Sequence, residues 1–202
     1  MATIPGWNGA SGQTGRLNVV RYAVFLRGIN VGGHKALGMD VLRAAFQGMG
    51  FENIRTIQAS GNVLFDAGGE DVSTSGRAEI ESLAARIGDG LERSFGYRIG
   101  VIVRRLPDLV SLVASDPFQA VAKSPETRLY VTFLSHPANN GTEIRPEDGS
   151  VRVVKVTEGE VLTAITLSPR WGTTELMAWL EKRLGKDVTT RNWNTVLKIA
   201  GA

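Results

Sequence analysis

The stretch 54-IRTIQASGNVLFD-66 decides the fold. Two short runs rich in β-branched and apolar residues, 54–58 and 62–66, flank Ala59-Ser60-Gly61 and read as a β-hairpin. In its turn Gly61 supplies a positive φ, while Ser60 and Asn62 hydrogen-bond locally. Upstream, 21-RYAVFLRG-28 has the apolar and aromatic content of a buried strand. Leu42, Ala45, Phe46 and Met49 then recur at helical spacing, with Gly50 where a C-terminal cap belongs. Downstream, a Gly-rich loop runs to Ser75, a candidate N-cap. Ile80, Leu83, Ala84, Ile87, Leu91 and Phe95 trace one helical stripe across Gly88 and Gly90. Gly96 ends that helix and 99-IGVIVRR-105 is a fourth strand. The order βαββαβ is the ferredoxin-like, split-βαβ arrangement, so the expected class is α/β (α+β).

The remainder reads as a second α/β, plait-like half. Pro107 opens a helix carrying Leu109, Leu112 and Val113 on one face, and Asp116-Pro117 stops it. Strands follow at 128–135, 151–157 and 160–167, the last two joined by a tight Glu158-Gly159 turn. Pro137 to Gly149 reads as a surface loop. Two helices close the chain: one from Thr174 to Leu184, ended by Gly185, and one starting near Thr190, with Trp193 turned inward. The expected organisation is a flexible tail over 1–18, a ferredoxin-like unit over 19–105 and the second half over 106–202.

Composition narrows the function classes. With 43% apolar and 21% charged residues the chain has ordinary globular content. No apolar run approaches the ~18 residues of a membrane span, and no secretory start precedes the first strand, so a cytoplasmic location is expected. There is no cysteine, which removes disulfide, thiolate and iron–sulfur chemistry. The two histidines, His34 and His136, stand apart and without neighbouring carboxylate pairs, so neither a metal nor a cofactor is implied. The net charge of +3 is small and dispersed, which argues against nucleic acid as a partner. Seventeen of the 23 basic residues are arginine, the side chain that grips carboxylates and phosphates in a fork.

Three stretches could carry chemistry. In 28-GINVGGHKA-36 the spacing of Gly28 and Gly33 matches a phosphate-binding P-loop, but Lys35 comes one place late and Ala36 stands where a magnesium-binding hydroxyl belongs. Two readings remain: a tight strand-to-helix connection, or a run of free amides cradling an anion with Arg27 and Lys35 beside it. In 58-QASGN-62, Ser60 and Asn62 either serve the turn or face a ligand; no motif links Ser60 to a base, as a nucleophile would need. In 189-TTRNWNTVLKI-199, Thr190 caps the helix, and Arg191, Asn192 and Asn194 either complete the cap or form part of a site.

LRGINVGG, SGNVLF and TTRNWNTV together resemble a widespread bacterial family known only as a domain of unknown function, over roughly Arg21 to Ile199. The resemblance implies a tandem of ferredoxin-like plaits and no particular activity. The family pattern places Asn and Lys after the double glycine, where this chain has His34 and Lys35. It also marks the three stretches as functional: Arg27, Gly28, Asn30, Gly32, Gly33, Lys35, Ser60, Asn62, Thr190, Arg191, Asn192 and Asn194 become the candidate ligand contacts. The leading expectation is a protein that binds a small anionic ligand or nucleotide at Arg27 and the Gly-rich loop. One alternative is an enzyme acting on a phosphorylated or anionic substrate through Arg27 and Arg191, with His34 as base. The other is single-stranded nucleic-acid binding on an RRM-like open sheet, which the expected cover from the second half would oppose. In a simple split βαβ, the glycine loop and the 58–62 hairpin are expected at opposite ends of the sheet.

Overall fold

The computed structural model describes residues 19–29, 37–58, 61–68, 76–137, 144 and 149–202. The elements of the first half are β1 (Val20–Arg27), α1 (Met39–Gly48), β2 (Glu52–Ile57), β3 (Asn62–Ala67), α2 (Arg77–Phe95) and β4 (Gly100–Arg105). The second half contains α3 (Leu106–Ala114), β5 (Thr127–Leu134), β6 (Val151–Val156), β7 (Glu160–Thr166), α4 (Thr173–Leu184), β8 (Val188–Asn192) and α5 (Trp193–Ala200). The class is mixed α/β as expected. The Ser75 cap and most of the loop between Pro137 and Gly149 lie outside the described residues.

Each half builds one antiparallel four-stranded sheet, in the orders β2-β3-β1-β4 and β6-β7-β5-β8. The two orders correspond strand for strand when β5 is set against β1, so the halves share a plan that no repeat in the sequence reveals. Strand alternation divides β1 between two cores. Tyr22, Val24 and Leu26 pack with Phe46, Leu83, Ile87 and Leu91 of α1 and α2. Ala23 and Phe25 face the other way, into a core shared with Phe133, Leu162, Trp193 and Val196 of the second half. A third core lies between the second sheet and α4, around Leu176 and Leu180. At the shared core Phe25 stacks on Phe133 with ring centroids 3.9 Å apart. The sheet face on which an RRM would stack bases is therefore buried inside the molecule, and the RRM-like alternative loses its platform.

Two expectations are corrected. The sequence predicts a helix starting near Thr190, but Val188–Asn192 forms the strand β8, where Thr190 pairs opposite Thr132, their hydroxyl oxygens 2.9 Å apart. The helix cap is Asn192, whose side chain accepts from the Asn194 amide at 3.0 Å. The 58–62 hairpin and the exit of β1 also share one end of the sheet, since Asn62 lies opposite both Phe25 and Ile57. Because β3 runs antiparallel to β1, the start of β3 must sit beside the end of β1.

Candidate functional site

Described residues of the hairpin and C-terminal stretches meet the end of β1 there. The Leu26 amide donates to the Gly61 carbonyl at 2.8 Å. Gly61 has the expected positive φ of 73°, and a Cβ there would stand 2.8 Å from Ile29 Cδ1 and 3.0 Å from Leu26 Cβ. Only glycine satisfies both the dihedral and the close approach. Next to it, the buried Asn62 donates from Nδ2 to the Ile57 carbonyl at 3.0 Å, closing its own turn. Its Oδ1 accepts from Arg191 Nε at 2.6 Å.

Arg191 ties the halves together. Nη2 donates to the Leu26 carbonyl at 2.7 Å, and Nη1 to Thr189 Oγ1 at 2.7 Å and the Thr190 carbonyl at 3.0 Å. Its guanidinium also lies 5.7 Å from the centre of the Phe25 ring. Burial disfavours its charged form and lowers its pKa to about 10. A further cross-link joins the same stretches, the Thr195 hydroxyl donating to Gln58 Oε1 at 2.9 Å. Gln58 adopts a positive φ of 58° to reach it.

Arg27 leaves the end of β1 on the outer side of this junction. Its Nη2 holds Glu181 of α4 at 2.8 Å, in a pair about one-third exposed on each side. Its Nη1 donates to the Lys186 carbonyl. Gly28 follows at φ 72°, with open space where a Cβ would point. Thus Arg191 joins Asn62 to the strand end that carries Arg27 and Gly28, while Thr190 bonds Thr132 within its own sheet and Asn192 and Asn194 form the α5 cap. Asn30, Gly32, Gly33, Lys35 and Ser60 lie outside the described residues, as does His34. Sequence reasoning missed Glu181 and Lys186, and no local signal ties either to an arginine some 154 positions earlier.

Elsewhere, two cavities of about 460 and 600 Å³ share Ile80, Arg104, Ser135 and His136 and form one cleft between α2 and the corner after β5. None of the described candidate contacts lines it. Among the described residues no cluster of His, Asp and Glu is arranged to hold a metal ion, and no helix is long and apolar enough to cross a membrane.

The fold and the junction define a two-sheet α/β protein in which Asn62 and Arg191 meet at the end of the first strand. The chain belongs to the family described as "Protein of unknown function (DUF1697)", matched over residues 19–162. That match takes in the first two stretches and stops short of the third. The chain is also similar in structure to the conserved bacterial protein SP0830 from Streptococcus pneumoniae. The TM-score is 0.67 at 19% identity, covering 91% of this chain and 97% of that one. At that identity the likeness is one of fold. No curated protein matches the chain.

Proposed function

We propose that the protein binds a small anionic ligand, a nucleotide or phosphorylated metabolite, at the exit of β1, with Arg27 as its charged contact and the backbone beyond Gly28 as its cradle. The observation that carries this reading is the Arg27–Glu181 pair. A carboxylate already sits on one arm of the Arg27 guanidinium, in a pair about one-third exposed. Such a pair contributes only ~0.2–1 kcal/mol, so a ligand anion that engages Arg27 gives up little in displacing Glu181.

In this reading Arg191, Asn62, Thr190 and Asn192 are scaffold. They fix the Leu26 carbonyl and the start of α5, and so aim Arg27, without touching the ligand themselves.

Thermal unfolding against nucleotides, sugar phosphates and polyphosphate tests the proposal. A ligand at ~100 times its dissociation constant adds ~2.7 kcal/mol, which at this chain length raises the midpoint by roughly 5–10 °C. The expected result is a shift that Arg27→Ala abolishes. No shift with any of these anions, or one that survives Arg27→Ala, overturns the assignment.

A further inference from the structure

Each sheet ends in two edge strands, β2 and β4 in the first and β6 and β8 in the second. The registers of β2 and β6 are broken, between Glu52 and Arg55 and between Val153 and Lys155. Such irregularities blunt an edge against further pairing. β8 is only five residues long, and its Arg191 is locked onto Leu26 and Asn62. β4 differs: its register against β1 is unbroken from Arg105 opposite Tyr22 to Gly100 opposite Arg27.

The outer edge of β4 opens into the 460 Å³ part of the cleft. One wall is α2, which presents small residues there, Ala84, Ala85 and Gly88. At Gly88 an added Cβ would meet nothing closer than Val101 Cγ2, at 4.0 Å. The opposite wall is the Ser135-His136 corner. The far end of the edge is closed by Arg104, which donates to the Val103, Leu134 and Gly159 carbonyls at 2.7–2.8 Å. A row of main-chain groups beside an apolar, small-residue wall suits another main chain better than a compact metabolite.

The rim adds a charge preference. Glu92 holds Arg98 at 3.1 Å and Glu81 holds Arg77 at 2.6 Å, while the exposed Asp89 between them makes no ion pair among the described residues. The groove is walled by α2 on one side and by Ser135 and His136 on the other, which suits a single extended segment lying along β4.

We propose that this groove captures an extended, basic segment of a partner protein, which adds to β4 as a fifth strand and sets a lysine or arginine beside Asp89. The inference is independent of the anion site at Arg27. The probe is a capped alternating peptide, Lys-Val-Thr-Val-Lys, titrated into the full chain while hydrogen exchange is followed at amides 100–103. Binding with slowed exchange at those amides is expected. Gly88→Leu, which fills the groove at an open helical position, should abolish it. A peptide N-methylated along its backbone, and the acidic analogue with glutamate at both ends, should not bind. If Gly88→Leu does not fold, Asp89→Lys serves instead, and should reverse the preference towards the acidic peptide. Absence of binding at millimolar peptide, binding unaffected by the variant that folds, or equal binding of the N-methylated peptide overturns the proposal. A concentration-dependent dimer that Gly88→Leu dissociates overturns it in favour of a second copy.

Discussion

Arg191 and Asn62 come from opposite sheets, 129 residues apart, and meet through a 2.6 Å hydrogen bond between Nε and Oδ1. Through its other nitrogens the same guanidinium holds the carbonyl of Leu26, one residue before Arg27. One side chain thus links the halves and braces the strand end that carries Arg27, beside the shared core.

Removing that side chain should be costly. Arg191→Met takes this donor away from the buried Asn62 Oδ1 and the Leu26 carbonyl, and each such lost bond to a buried acceptor costs ~1–3 kcal/mol. A total loss of about 3 kcal/mol is expected in urea denaturation. Arg191→Lys should recover little, because an ammonium cannot reproduce the planar fork. Arg191→Met combined with Asn62→Ala should lose less than the sum of the single changes, and additive losses would show that the two residues do not interact.

The pH dependence of that loss follows from the lowered pKa. Burial brings the folded-state value to about 10, below the unfolded one, so the unfolded chain binds more protons only above that range. Between about pH 5 and 9 both states are protonated at Arg191, and its contribution is flat. Above pH ~10 the folded state releases its proton first, and the desolvation penalty is relieved as pH rises. The stability difference between wild type and Arg191→Met, measured from pH 5 to 9, should therefore be constant, and a slope there would contradict the assignment.

Arg27 should behave oppositely in stability and in binding. Its pair with Glu181 is about one-third exposed, so Arg27→Ala should cost no more than ~1 kcal/mol and be softened further by salt. Glu181→Gln removes the carboxylate that competes for Arg27 and should tighten anion binding, read as a larger thermal shift at fixed ligand. A weaker shift would mean that Glu181 helps to hold the ligand.

Much of this architecture was legible in the residues. Apolar period and punctuating glycines placed β1 to β4, and Gly61 could be assigned its positive φ from the turn alone. β8 was not legible, because Val188 to Asn192 is followed at once by a helix and Thr190 has the chemistry of a cap. Only pairing with β5, some 58 residues upstream, makes it a strand. The ion pair between Arg27 and Glu181 was hidden for the same reason, since no local pattern encodes a contact made by packing one half against the other. The shared end of β1 and the 58–62 turn, by contrast, was available from strand direction once β1 and β3 are neighbours.

The two glycines inside α2 should respond differently to alanine. At Gly88 the added methyl enters open space, so Gly88→Ala should stabilise by ~0.5–1 kcal/mol through helix propensity. At the buried Gly90 the methyl would collide with the Met49 side chain, sulfur and Cγ included. Gly90→Ala carries the same propensity gain but must swing Met49 out of its packing, so it should stabilise less or destabilise. In a Met49→Ala background the obstruction is gone and the two substitutions should become equivalent. A difference that persists there would place the constraint in the helix backbone instead.

The buried Glu79 gives the sharpest contrast with surface charge. Its carboxylate is fully enclosed, accepting from the Tyr22 hydroxyl on one oxygen and from Arg105 on the other. The hydrogen bond to Glu79 raises the pKa of Arg105, against the opposing effect of burial. With the folded value raised, that stabilisation is complete below the unfolded value, so alkaline titration to about pH 10 should not release it. Glu79→Ala removes the acceptor shared by Arg105 and the Tyr22 hydroxyl and should cost up to ~3 kcal/mol, the low end for a buried pair, because Arg105 keeps some exposure. Glu79→Gln keeps the shape and one acceptor and should cost less. Because Glu79 itself is enclosed, added salt should reduce the Glu79→Ala loss less than it weakens the exposed Arg77–Glu81 pair on the same helix. A Glu79 contribution that falls with salt as the surface pair does would show that the carboxylate is solvated in the folded protein.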